Sequence, residues 1–361
     1  MMACSRNPKL ETGAMTDIRP GSKAVTLKDL AAELGLHPST VSRILHTETD
    51  TARGAAAPAT AQRVRDLARK VGYSPDPQAK GLRTGRTHLL GVIVPRLSDL
   101  VLAVIYEGIE EAADDANYST FVMNSRDDPA MQRRKTEIML SRRVDGLIVG
   151  DAHLDGDILN ELAQRKVPFV LMNRAVPGFP SATCDDELGG TLVARHLWDK
   201  GHRIVSVIAG EPYASTAVDR TQGFVSRFRA LGGEIPESAI VWSRFDTMGG
   251  HTAAITILGD KNRRPSAIFA VNDFAAIGAM GAASSHGLLV GRDLAIVGFN
   301  DTSLAAQLPI ALSSVRSPMM DIGRLAVKLL LGVLNGETVE SIRLAPILCV
   351  RESSSHEWTP S

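Results

Sequence analysis

The stretch LKDLAAELGLHPSTVSRIL, Leu27–Leu45, decides the front of the molecule. Leu27, Leu30, Ala31 and Leu34 recur at i, i+3, i+4 and i+7, one apolar face of a helix. Thr26 stands before them as an N-cap, and Asp29 completes a capping box with Asp in place of Glu. Gly35 ends the helix as a C-cap residue, and Pro38 suits the first turn of the next, where no amide hydrogen is needed. Val41 and Leu45 give this second helix an i, i+4 apolar pair; on the side they leave free stand Ser39, Thr40, Ser42 and Arg43. Val64, Leu67, Ala68 and Val71 repeat the first stripe and predict a third helix. Three short helices, the first two joined at a tight glycine turn, describe a helix-turn-helix, whose second helix points its N-terminal residues at base edges in the major groove. Short hydroxyls let the backbone come close, and Arg43 is long enough to reach guanine O6 and N7 with two donors. Any three-helix bundle gives the same periodicities, so the surrounding sequence has to discriminate.

Charge and the following segment do so. The 361 residues carry 40 Lys/Arg and 40 Asp/Glu, yet residues 19–86 hold 12 against 6 and residues 87–361 hold 26 against 32. A small basic module on a larger acidic body suits a front end that meets a polyanion. GYSPDPQAKGLRTGRT, Gly72–Thr87, is no plain linker. It has two prolines, then a helical turn over 77–83 that leaves Leu82 beside Lys80, Arg83 and Arg86. An apolar residue among basic ones, with no core of its own, fits a wedge into a minor-groove step.

VTLKDLAAELGLHPSTVSRIL and GYSPDPQAKGLRTGRTHLLGVIVP, followed by VDGLIVG, GHRIVSVIAG, DRTQGF, AVNDFAAIGA and LAIVGFNDTSLA, resemble the lactose-repressor (LacI/GalR) family of bacterial transcription regulators over residues 24–351. The resemblance implies that the second helix reads an operator and that a hinge helix folds on DNA and inserts a leucine. The DNA-contacting roles then fall on Thr26, Pro38, Ser39, Thr40, Ser42, Arg43 and His46, and on Lys80, Leu82 and Arg83. Three departures stand out. HTETDTARGAAAPAT is about five residues longer than usual, which surface loops tolerate at small entropic cost. His46 replaces a common Asn. Gly81 precedes the wedge leucine, and Gly in a helix costs about 1 kcal/mol against Ala, so the hinge helix should be harder to fold than usual. Gly81→Ala is accordingly expected to tighten operator binding a few-fold at fixed salt.

From His88 the pattern changes. HLLGVIVP, YSTFVM, VDGLIV and VPFVLM form one series of β runs, and RIVSVIAG, AIVW, SAIFAV and LAIVGF another, with amphipathic stretches such as LAVIYEGIEEAADDA between. Alternating β and α segments predict parallel sheets with helices on both faces, here as two similar lobes. The expected architecture is an all-α helix-turn-helix headpiece plus an α/β two-lobed body like the periplasmic binding proteins. Its divisions are an N-terminal extension (1–23), headpiece (24–74), hinge (75–87), effector-binding and dimerisation body (88–351) and tail (352–361).

Ligands of open α/β sheets sit beyond the carboxyl ends of strands. Asn173 follows VPFVLM, Asn272 and Asp273 follow AIFAV, and Asn300 and Asp301 follow IVGF. The resemblance assigns a small effector, a sugar, sugar derivative or nucleobase-like molecule, to Asn173, Arg220, Asn272 and Asn300, with Phe245 as an apolar wall. Asp273 and Asp301 are read as caps of following helices. Two positions commonly aromatic in the family are Val101 and Leu102, and Asn300 stands where Asp is usual. With those rings absent, and Arg220 and Arg174 facing fewer carboxylates, a more anionic or differently shaped effector than a hexose is expected.

The sequence has no GxGxxG after a strand, no GxxxxGK[ST], no HExxH and no GxSxG, so neither an enzyme nor a cofactor is expected. Cys4, Cys184 and Cys349 form no ligand cluster, which excludes a zinc site or disulfide framework and fits a reducing cytoplasm. No run of about 18 apolar residues occurs. The expected partners are a palindromic double-stranded DNA operator, the effector and a second copy of the chain. Two side-by-side hinges wedge one central step of a two-fold site, and ESSSHEWTPS carries no leucine heptads for a tetramer.

Overall fold

The computed structural model describes residues 25–46, 57–73, 86–260 and 264–357. Contacts divide the chain into Met1–Gly85 and Arg86–Ser361. Each unit has its own core.

In the first unit, α1 (Leu27–Leu34), α2 (Pro38–His46) and α3 (Pro58–Lys70) enclose Leu30, Ala31, Val41, Ile44, Val64 and Ala68. The capping box at the start of α1 is complete. Thr26 N–H and Oγ1–H donate to Asp29 Oδ2 at 2.8 and 2.7 Å, and Asp29 N–H returns to Thr26 Oγ1. Gly35 turns the chain out of α1 at φ 65°, a left-handed value that Cβ-bearing residues pay about 1 kcal/mol or more to adopt. The start of α2 is held by an imidazole: His37 Nδ1 accepts from Ser39 N–H at 3.3 Å and lies 2.8 Å from Ser39 Oγ. The apolar pair expected at Val41 and Leu45 faces the headpiece core, and Ile44 joins it. Val41 and Ile44 are buried, and Leu45 is half-buried against them.

The second unit has two six-stranded sheets. The first lobe runs in the order β11-β5-β4-β3-β1-β2, with β1 (Leu89–Val94), β2 (Ser119–Asn124), β3 (Gly146–Val149), β4 (Phe169–Met172), β5 (Ser181–Cys184) and β11 (Ile342–Leu344), all parallel. The second lobe runs β12-β10-β9-β8-β6-β7, with β6 (Val205–Ala209), β7 (Ile240–Trp242), β8 (Ala267–Ala270), β9 (Ala295–Asn300), β10 (Ser313–Arg316) and β12 (Ile347–Cys349). In that sheet β12 is antiparallel to β10 and the other pairs are parallel. All eight β runs expected from sequence are strands. The four unanticipated ones, β5, β10, β11 and β12, lie at the sheet ends where the chain changes lobe.

It changes lobe three times: after β5, between β10 and helix α11 (Met319–Leu334), and between β11 and β12. Helix α4 (Leu100–Asp115) crosses α11 on the first lobe, where a Cβ on Gly323 would lie 2.1 Å from the Ile105 carbonyl oxygen. Helix α7 (Asp186–Asp199) crosses α8 (Ser215–Ala230) on the second lobe, with α9 (Thr247–Gly259) and α10 (Asp273–Ser285) paired on its other face. Helices α5 (Pro129–Ser141) and α6 (Asp157–Gln164) complete the first lobe. The segment beyond Arg351, read from sequence as a tail, is built into the body through Ser354. Ser353 Oγ donates to the Ile296 carbonyl at 2.6 Å, and Ser353 and Ser354 are fully buried.

Candidate functional site

Two surfaces carry candidate function, and each belongs to one unit. On the first, α2 buries Val41 and Ile44, which leaves Ser39 and Arg43 exposed and Pro38, Thr40 and Ser42 half-buried on the outward side. Arg43 Nε donates to the Ser39 carbonyl one turn back at 3.4 Å, so its stem lies along the helix. Thr26, expected among the DNA contacts, spends its side chain on the capping box. His46 ends α2, and Lys80, Leu82 and Arg83 lie outside the described residues.

The second surface is a cavity between the two lobes of the body, at the carboxyl ends of both sheets. Its deep end is narrow, about 40 Å³, and brings together all five residues assigned from sequence: Asn173, Arg220, Phe245, Asn272 and Asn300. Much of their hydrogen-bonding capacity is internal. Arg220 donates through Nε to Asp186 Oδ1 at 2.7 Å and through a terminal nitrogen to the Val271 carbonyl at 2.8 Å, with its guanidinium 3.8 Å from the Phe299 ring centre. Burial raises the Asp186 carboxyl to about 6 against the pull of Arg220. Asn272 is the N-cap of α10: Oδ1 accepts from Ala275 N–H at 2.8 Å, and Nδ2 donates to the Phe245 carbonyl at 2.7 Å. The cap roles expected of Asp273 and Asp301 are therefore corrected. Asp273 instead accepts from Ser314 Oγ and from Thr302 N–H and Oγ1, and Asp301 pairs with Arg316 at 2.8 Å. For Asp273 the reason is position: Asn272, one residue earlier, already fills the capping site. Asn300, held at φ 101°, buries an Oδ1 that has no hydrogen-bond partner among the described residues.

The outer part is far larger, about 410 Å³, and sequence reasoning missed most of its wall. Tyr213 and Phe274 join Phe245 there, so aromatic surface is present although Val101 and Leu102 are aliphatic. The expectation that Arg174 would face few carboxylates is corrected too. Asp127 takes both terminal nitrogens of Arg174 at 2.8 Å each, lies 3.2 Å from His153 Nε2 and accepts from Tyr213 Oη at 3.1 Å. Burial alone would raise the Asp127 carboxyl; the bonds from Arg174 and His153 hold it well below the usual carboxylate range. Asp99, Glu211 and Asp246 add three more carboxylates to the wall. Asp99 caps α4 through Val101 N–H at 3.0 Å, and its carboxyl is raised by burial. Strand-end position was the usable signal for these residues; the pairing across loops was not. Among the described residues no cluster of His, Cys, Asp and Glu could hold a metal ion.

A family model for the periplasmic binding protein-like domain matches residues 194–354, and one for the IclR helix-turn-helix domain matches residues 18–47. The chain is 30% identical to catabolite control protein A of Priestia megaterium over 322 residues, 88% of this chain and 95% of that one. The chain belongs to the LacI/GalR family of transcription regulators. The PurR repressor of Klebsiella pneumoniae is 29% identical, covering 91% of this chain and 96% of that protein. Among solved structures, the lac repressor dimer bound to operator and an anti-inducer superposes with a TM-score of 0.83 at 25% identity, over 92% of this chain and 99% of that one. The transcriptional regulator CelR in complex with cellobiose gives 0.69 at 27% identity, over 91% and 100% of the two chains. This LacI/GalR member is a DNA-binding transcription regulator whose body is of the effector-binding, two-lobed kind. No helix among the described residues is long and apolar enough to cross a membrane.

Proposed function

We propose that this LacI/GalR member is a cytoplasmic, non-enzymatic repressor that binds a palindromic operator as a homodimer and is controlled by a small molecule between its lobes. One observation carries the reading. A helix-turn-helix with its hydroxyl and arginine face outward shares a chain with a two-lobed cavity containing a buried acceptor, Asn300 Oδ1, that has no partner among the described residues. Ser39, Thr40, Ser42 and Arg43 meet the major groove, and Leu82, flanked by Lys80 and Arg83, wedges the central step. The effector lies against Asn173, Arg220, Phe245, Asn272 and Asn300. Its binding changes the relative stability of two lobe arrangements, and coupling of about 1–3 kcal/mol between the sites is typical. Whether it releases or retains DNA follows from which arrangement it prefers.

Selection of bound fragments from a genomic library, followed by fluorescence anisotropy on the recovered duplexes, tests this. An inverted repeat should bind far more tightly than scrambled DNA of the same length. No preference for any inverted repeat at low ionic strength refutes the proposal.

A further inference from the structure

We infer that the outer cavity takes an anionic saccharide, a sugar carrying a carboxylate or phosphate, and that Arg96 and Arg126 select it. The assignment rests on reading the cavity as the effector site and goes on to name its ligand class.

Strands β1 and β2 are parallel neighbours with Val94 opposite Asn124. Arg96 and Arg126 each stand two residues beyond that pair, at equivalent points on adjacent strand exits. The Arg126 N–H donates to the Pro95 carbonyl at 3.0 Å, which fixes the two loops side by side. Neighbouring strands lie about 4.8 Å apart, so the two guanidiniums spring from adjacent roots. Both side chains are exposed and line the outer cavity. Neither forms an ion pair among the described residues, whereas the other two arginines of that wall do: Arg174 with Asp127 at 2.8 Å and Arg244 with Asp246 at 3.2 Å.

The carboxylates offset this local charge only in part. Asp127 is committed to Arg174 and Asp246 to Arg244, which leaves Asp99, the N-cap of α4, as the first-lobe carboxylate that acts on Arg96. Glu211 belongs to the facing lobe, between β6 and α8. The first-lobe rim is therefore a two-arginine fork open to the cavity, a geometry suited to a planar carboxylate or a phosphate. Arg126 also holds φ 61°, and Asp127 φ 59°, so two successive non-glycine residues are left-handed. That turn sends Asp127 inward to Arg174 and leaves Arg126 on the cavity wall. The remainder of the ligand faces the rings of Tyr213, Phe245 and Phe274, which suit the apolar faces of a sugar, while Glu211 accepts from hydroxyls.

Isothermal titration of the full-length protein decides the matter, with a set of hexoses each presented as the neutral sugar, the uronate and the 6-phosphate, and with inorganic phosphate alone. At least one anionic form should bind about tenfold or more tightly than its neutral parent, a ratio that falls as salt rises. The uronate and 6-phosphate arms show which anion is used. The double variant Arg96→Gln, Arg126→Gln, checked by thermal melting, should bring that ratio close to one. Neutral sugars binding as well as their anionic forms, or a ratio that survives the double variant, overturns the assignment but leaves the effector cavity standing. Inorganic phosphate binding as tightly as the sugar derivatives overturns it in favour of a plain anion site. No binding by any member of the set overturns both the assignment and the saccharide reading of the cavity.

Discussion

At the scale of single residues, the chemistry concentrates in side chains whose partners lie far away in sequence. Asp127 reaches Arg174 across 47 positions, and the Arg174 side chain is only 5% exposed. Asp127→Ala leaves that guanidinium buried and unpaired, which costs about 3–5 kcal/mol in urea unfolding. An unchanged midpoint would show the pair to be incidental. Because its carboxyl is held below the normal range, Asp127 stabilises the fold above about pH 4, and that contribution fades as the pH falls further. Asp273 behaves oppositely. Burial pushes its carboxyl up to about 6, against the bonds from Ser314 and Thr302. Between about pH 4 and 6 the folded chain keeps a proton the unfolded chain has released, so this residue lowers stability as pH rises through that window. Asp273→Asn should remove that slope from a melting-temperature profile, since an amide still accepts from Thr302 and can donate to Ser314 Oγ. On the DNA side, Arg43→Ala should relax discrimination at one base pair per half-site by about 1–3 kcal/mol; an equal loss for all sequences would make Arg43 a phosphate contact.

At the scale of elements, local rules account for the headpiece well. The stripe of α1, its capping box and the Gly35 exit are written in consecutive residues, and the structure repeats them. Thr26→Ala should lower headpiece stability by about 1 kcal/mol, read from the far-UV transition of an isolated 1–85 fragment. The missed strands tell the complementary story. SATC of β5 and SSVR of β10 hold few bulky apolar residues, yet Ser181, Thr183, Ser313 and Ser314 are buried because neighbouring strands and crossovers cover them. In β10 the hydroxyls are satisfied by distant groups: Ser313 Oγ donates to the Arg351 carbonyl at 2.9 Å, and Ser314 Oγ donates to Asp273. No window of consecutive residues contains that information. The same holds for Gly323, whose meaning lies in α4. Gly323→Ala should destabilise the body by well over about 1 kcal/mol, since a backbone carbonyl is in the way and only a shift of the helix pair relieves the overlap.

At the scale of the whole molecule, the division at Gly85/Arg86 separates a basic unit from an acidic one. A chain of residues 86–361 should fold, keep its small-molecule binding and lose DNA binding. Loss of both would mean the body depends on the headpiece. For the intact protein, phosphate contacts should make log Kd rise with log salt at a slope near the number of phosphates neutralised. The two-lobed body was readable as such from its alternating runs, and the five residues assigned to the effector do meet. What was not readable is that Arg220, Asn272 and Arg174 are already engaged by protein groups, and that most of the free volume lies outside them.

Taken alone, the amino-acid order determined the helix-turn-helix, strands β1–β4 and β6–β9 and the family, because each of these depends on neighbours a few positions apart. Tertiary structure alone decided which charges are neutralised and which remain open to a ligand. That outcome depends on where parallel strands end beside one another, and the long crossovers between them bring together loops from remote parts of the chain.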